Sequence, residues 1–210
     1  MSTLLERDVL VISQKPKFVE MTNEYAITGE DGAELGAIRQ EGQSKARKLL
    51  RLVSSVDQFL TTRLTVYDAG GAKVLELVRP AKVFKSTVEI HDANGTLVGK
   101  IVQENVVGKK RFRLDGPNGE PIGSIDAENW RSWDFAIRDA AGTEVGRITK
   151  KWAGILREGF TTADSYLLQI SGVVSRPMRS VMVAAAAGID TGLKQDDTGG
   201  LGFGGIDLDL

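Results

Sequence analysis

Two groups of basic residues have the types and spacing to hold phosphate. Lys109-Lys110-Arg111-x-Arg113 runs out of a loop into the alternating segment Phe112-x-Leu114. Alternation sends Arg111 and Arg113 to one side, so two guanidiniums beside two ammonium groups could grip phosphate oxygens. The competing reading is a strand edge that charge protects from aggregation. Lys45, Arg47, Lys48 and Arg51 form the second group, inside Gln43 to Phe59, where Leu49, Leu50, Leu52, Val53 and Val56 recur at helical spacing. Such an amphipathic segment could rest on an anionic membrane surface, or cover the body of the protein with its charges outward.

Other candidates for chemistry are fewer. Trp130-Arg131-Ser132-Trp133 and Trp152 could cage a ligand, or pack the ends of a β structure. His91 is the one imidazole, on the outward parity of its segment, which argues against a catalytic base. Asp126 with Glu128, and Asp134 with Asp139, are paired only along the chain, and nothing arranges them around a cleft. The glycines follow turns and form neither a Gly-x-Gly-x-x-Gly nor a Walker loop. With no Cys, thiolate zinc sites, iron–sulfur clusters, disulfides and cysteine nucleophiles are excluded. No enzyme constellation and no cofactor follow from these residues. A net charge of −1 over 210 residues gives the chain as a whole no attraction for nucleic acid.

The elements that must position these residues announce themselves as a repeat. Five segments share an apolar-x-apolar start, a polar turn with glycine, and a second apolar strand: Tyr25…Gly32…Ile38, Leu64…Gly71…Leu77, Val88…Gly95…Ile101, Phe112…Gly119…Ile125 and Phe135…Gly142…Ile148. The last turn glycines recur about every 24 residues, one hairpin plus a connection. Asp68, Asp92 and Asp139 stand where an Asx-type turn begins, and the following Gly can take positive φ. Gly36, Gly99, Gly123 and Gly146 break strict alternation at the start of the second strand, which predicts a bulge or bend there. Leu75 stands at that position in the second unit, predicting a straighter hairpin. Serial hairpins at regular spacing point to a barrel or sandwich.

One helix stands out against this rhythm, from Arg176 to about Lys194, with Pro177 in its first turn. Its centre, Val181-Met182-Val183-Ala184-Ala185-Ala186-Ala187-Gly188-Ile189, is apolar on all sides, as in a helix buried in protein or lipid. Those nine residues span roughly 13 Å, far below the ~30 Å of a bilayer core. The helix is therefore expected inside the curled sheet and not across a membrane. From Thr191 onward the chain is rich in Gly and carries Asp196, Asp197, Asp207 and Asp209 against Lys194. Residues 196–210 read as a flexible acidic tail, able to mask basic patches on a body spanning 1–195. The first residues show no secretory leader, which predicts a cytoplasmic protein.

Three stretches carry a resemblance. Val9-Leu10-Val11-Ile12-Ser13-Gln14-Lys15-Pro16-Lys17 with Tyr25-Ala26-Ile27 is the first. The second is Lys151-Trp152-Ala153-Gly154-Ile155-Leu156-Arg157-Glu158-Gly159-Phe160-Thr161-Thr162-Ala163-Asp164, and the third is the Val181–Ile189 helix followed by Asp190. Together they resemble the phospholipid scramblase and LURP-one-related group, over about residues 8 to 195. The resemblance implies a mainly β, tubby-like fold: a twelve-stranded antiparallel barrel closed around a hydrophobic C-terminal helix. It also implies a calcium segment, of which Asp164 matches one carboxylate, while Thr162, Val173 and Ser175 stand where acids would be. A hard cation wants six to eight oxygens, so Asp164 is expected to be a remnant that holds no calcium.

Tubby-like relatives bind phosphoinositide head groups on basic barrel surface. The expected function is thus a non-enzymatic module, cytoplasmic and peripheral at the inner face of the plasma membrane. It would bind anionic phospholipid or phosphoinositide head groups through the two basic groups, without scrambling lipid by itself. The alternative is a protein-interaction scaffold whose acidic tail or barrel surface recruits a partner, such as a membrane-bound protein.

Overall fold

Five hairpins of this chain turn on the same device. In each, a four-residue turn closed by a backbone hydrogen bond ends on a glycine in the left-handed region, with φ between 77° and 84° at Gly32, Gly71, Gly95, Gly119 and Gly142. At the second of them the Gly71 N–H donates to the Asp68 carbonyl at 2.9 Å and the Asp68 N–H donates to the Ala72 carbonyl at 2.9 Å. The Asp68 carboxylate also accepts the Ala72 N–H, and Asp92 and Asp139 act alike on Thr96 and Thr143. Asp92 and Asp139 also accept the N–H groups of Asn94 and Ala141, the Asx turns expected from the sequence.

The computed structural model describes residues 3–14, 24–41, 62–80, 87–104, 111–129, 134–150 and 165–192. A 3₁₀ turn, Thr3–Glu6, precedes the strands β1 (Val9–Gln14), β2 (Glu24–Thr28), β3 (Glu34–Glu41), β4 (Thr62–Asp68), β5 (Lys73–Arg79) and β6 (Thr87–Asp92). They continue as β7 (Leu97–Gln103), β8 (Arg111–Asp115), β9 (Pro121–Asn129), β10 (Asp134–Asp139), β11 (Glu144–Thr149) and β12 (Ser165–Ile170). A helix follows, α1 (Arg176–Gly192). Each strand pairs antiparallel with its sequence neighbours, and β12 returns to pair with β1, so the sheet closes as a twelve-stranded barrel.

Closure depends on bulges at fixed places. In the hairpin of β6 and β7, Ile90 faces Gly99 but His91 faces Leu97, leaving Val98 as the extra residue. Leu35, Ile122 and Val145 are the extra residues of three other hairpins. The hairpin of β4 and β5, expected to be straighter because Leu75 replaces glycine, carries the same register shift: Val66 faces Leu75 while Tyr67 faces Lys73. The bulge is set by the turn geometry that all five hairpins share, not by the glycine after it.

That glycine has another role. A Cβ at Gly99 of β7 would lie 2.6 Å from Val181 Cγ2, and one at Gly123 of β9 would lie 3.0 Å from Met178 Cε. At Gly146 of β11 it would collide with Met182 Cε. Three strands thus drop their side chains where the helix passes. Val181, Met182, Val183 and Ala184 are fully buried, and Ala185, Ala186 and Ala187 nearly so. Burial on every side, with glycine contacts on three separate strands, puts α1 along the barrel axis inside one continuous apolar core. Ser175 caps it by accepting the Met178 N–H. Arg179 ties its start to the N-terminal segment, donating to the Arg7 carbonyl at 2.9 Å and to Asp8 Oδ1 at 2.7 Å. Ile189 belongs to the helix, but its side chain lies outside the described residues.

Candidate functional site

An antiparallel meander gives the barrel two unlike rims. The five glycine turns all connect an even-numbered strand to the next odd one and so lie at one end. The connections from odd to even strands, residues 15–23, 42–61, 80–86, 104–110, 130–133 and 150–164, leave from the other end. The basic group Lys45, Arg47, Lys48 and Arg51 falls within 42–61, and Lys109 and Lys110 fall within 104–110; all six lie outside the described residues. Trp130, Trp133, Trp152, Asp164 and the acidic tail lie outside them as well.

Arg111 and Arg113 are described, and both stand on the outer face of β8, exposed on either side of buried Phe112. They do not sit on a sheet edge, since β8 is paired on both sides. Their side chains diverge. Arg111 Nε donates to Asp126 Oδ1 of β9 at 2.7 Å. Arg113 makes a two-pronged contact with Asp115 of its own strand, Nε to Oδ1 at 2.7 Å and a terminal nitrogen to Oδ2 at 2.9 Å. These carboxylates, by hydrogen bond first and by charge second, raise both guanidinium pKa values further above the usual arginine range. The two arginines remain fully cationic, and Arg111 is the one at the end of β8 nearest the long connections.

Arg111 is also the first member of a ladder of alternating charge. Asp126 faces Arg138 of β10 at 3.7 Å, and Arg138 reaches Glu144 of β11 at 4.0 Å. Glu144 accepts two bonds from Arg147, which donates as well to Asp134 at 2.7 Å. The Arg147 hydrogen bond depresses the Glu144 carboxyl pKa, and Arg147 is itself shifted upward by its two acidic neighbours. A smaller cluster on β4 and β5 joins Glu76 to Lys73 and Arg63, and the Lys73 hydrogen bond leads in lowering the Glu76 pKa. These pairs lace the barrel wall with nearly balanced charge. Sequence reading missed them, because cross-strand partners depend on register, which the bulges set.

The remaining candidates are scattered. His91 lies half-buried on β6 opposite Glu76. Ser175 is the helix cap and Val173 is fully exposed, both after the end of β12. Among the described residues, no three acidic or imidazole groups converge on a point where a metal could sit. No described helix is long and apolar enough to cross a membrane.

Comparison with known proteins adds a family. A family model described as Scramblase matches residues 1–193. A phospholipid scramblase family protein of Schizosaccharomyces pombe is 29% identical over 186 residues, covering 80% of this chain and 47% of that protein. Phospholipid scramblases 2 and 1 of Homo sapiens are each 46% identical over 46 residues, 22% of this chain and 16% and 14% of their own. The chain therefore spans about half the length of the first relative and less of the human ones. An X-ray structure of an Arabidopsis thaliana protein shares the fold at a TM-score of 0.53 and 9% identity, covering 87% of this chain and 90% of that one.

Proposed function

The chain belongs to the scramblase family, and from that premise we propose that it is a non-enzymatic module that binds anionic phospholipid or phosphoinositide head groups peripherally. The observation that carries this reading is the place of Arg111: a fully charged, exposed guanidinium at the mouth of the connection that holds Lys109 and Lys110. Three cations in consecutive positions suit a phosphate group, whose oxygens accept charge-assisted bonds. Arg113 supplies a fourth charge on the same face of β8, and Lys45, Arg47, Lys48 and Arg51 form a second basic group in the sequence between β3 and β4.

Lipid movement by this chain alone is not part of the proposal. The apolar segment that could enter a bilayer, Val181 to Ile189, belongs to the helix around which the barrel is built. Withdrawing it would expose the inner face of the barrel to water, a cost far above what ~13 Å of inserted helix could return.

The test is co-sedimentation with phosphatidylcholine vesicles, with and without phosphatidylserine or a phosphoinositide. Pelleting only with anionic lipid is expected, and Lys109→Glu/Lys110→Glu should weaken it at least about tenfold, since each basic residue at the surface is worth ~1 kcal/mol. Equal, negligible pelleting with both vesicle types would sink the reading.

A further inference from the structure

Gly36 of β3 is the fourth glycine near the start of a second hairpin strand, and what it accommodates is not the helix. A Cβ there would lie 3.0 Å from Leu4 Cδ1. Leu4 belongs to the 3₁₀ turn Thr3–Glu6, is fully buried, and joins the same apolar core as α1. The turn touches both β3 and α1, so it fills the glycine-turn end of the barrel beside the start of the helix. Two ties pin the residues that follow it. The Asp8 carbonyl accepts the Ile170 N–H at 2.7 Å, which extends the pairing of β1 with β12. Arg179, one turn into α1, donates to the Arg7 carbonyl at 2.9 Å and to Asp8 Oδ1 at 2.7 Å.

We propose that residues 3–8 are a latch on the axial helix. While Leu4 is seated and Arg179 clasps Asp8, the start of α1 is locked; when the latch lifts, residues 3–8 and the first turns of α1 open together and the strand ladder stays closed. Every strand is hydrogen-bonded on both sides around a closed ring, so none can leave without breaking two ladders. An α-helix closes its backbone bonds within itself, so the start of α1 is held by packing and by the Arg179 clasp. Units with fewer such ties open at lower free energy than the core sheet. The connection from β12 supplies the pivot: Ser171, Gly172 and Val173 are exposed, and Gly172 lies in the left-handed region at φ 75°. Opening uncovers Met178, Val181 and Met182, and the seated Leu4 keeps it rare. Glu6, Arg7 and Asp8 are exposed, so a partner gripping them from outside would lift the latch without unfolding the sheet.

Native-state hydrogen exchange of the full chain, read by mass spectrometry at α1 and at β8–β10, tests the latch. In the parent, exchange in α1 should depend less steeply on urea than exchange in β8–β10, the mark of a smaller unit opening. Leu4→Ala should accelerate exchange in α1 at least about tenfold, because it removes most of a buried leucine, and leave β8–β10 unchanged. Asp8→Asn weakens a partly exposed ion pair and should accelerate α1 alone by about two- to fivefold. It carries the test by itself if Leu4→Ala does not fold. Acceleration shared equally by α1 and β8–β10 would make these residues ordinary parts of one cooperative core and overturn the latch. Unchanged exchange in α1 would overturn it as well.

Discussion

Val181 of the axial helix stands in the space that a side chain at Gly99 of β7 would need: a Cβ there would lie 2.6 Å from Val181 Cγ2 and 2.8 Å from the Asp115 carbonyl oxygen. The glycine is conformationally ordinary and sterically indispensable. Gly99→Ala should therefore destabilise the barrel by about 1–3 kcal/mol, the usual cost of overpacking a dense core. Removing the opposing methyls in Gly99→Ala/Val181→Ala should recover part of that loss and no more, because the Asp115 backbone remains in the way. Denaturant unfolding of the two variants checks this, and an unchanged midpoint for Gly99→Ala would contradict the close approach.

The same glycines show what the sequence discloses and what it hides. Their recurrence announces hairpins, and Val181–Ile189, apolar on all sides, announces something to be wrapped; the closed barrel around a helix follows from the two together. The bulge reading reached the right backbone feature through the wrong residue, as the Leu75 hairpin demonstrates by bulging without glycine. Close packing against a helix some eighty residues away leaves no local signal at Gly99. Val11, Ala37 and Leu167 are similar: buried outside the axial core, they make β1, β3 and β12 apolar on both faces, and alternation cannot say which face is which. At the candidate site the basic residues are plain in the sequence. Their acidic partners Asp115 and Asp126, and their assignment to one rim or to the wall, require register and strand direction.

Ala184 is wholly buried on the axial helix. Ala184→Asp would place a carboxylate with no partner in the centre of the barrel, where an uncompensated charge costs about 3–5 kcal/mol or forces the group to protonate. The variant should be unfolded or melt far below the parent by circular dichroism. Retention of the parental melting curve would mean that α1 is not enclosed.

The Glu76 carboxyl is held below its ordinary pKa by Lys73 first and Arg63 second, and the Glu144 carboxyl by Arg147. A depressed folded-state pKa stabilises the fold above the unfolded value of ~4.3–4.5, and that stabilisation disappears as pH falls through the lower folded values. The barrel should thus lose stability on acidification from about pH 5 downward. Glu76→Gln should be less stable than the parent by roughly 0.5–1 kcal/mol at neutral pH, with the gap closing in acid. Melting temperatures across pH 3 to 7 test this; a gap that persists undiminished in acid would show that the mutation acts through packing and not through charge.

The helix begins at the end of the barrel that carries the glycine turns, where Met178 approaches Gly123, and runs along the axis toward the opposite end, from which the long connections leave. Residues 196–210 carry Asp196, Asp197, Asp207 and Asp209 and no basic residue. We propose that this Gly-rich acidic segment acts as a flexible tail, whose reach would then be about 20 Å. Its four carboxylates should compete with anionic lipid for the same cations. Deleting 196–210 is therefore expected to tighten binding to phosphatidylserine vesicles several-fold at low ionic strength, with deletion and parent converging as salt shortens the Debye length. Asp→Asn at all four positions should reproduce the deletion, because the effect is one of charge. Unaltered vesicle binding, together with loss of a co-purifying protein on deletion, would instead make the tail a recruitment segment and favour the scaffold reading over electrostatic masking.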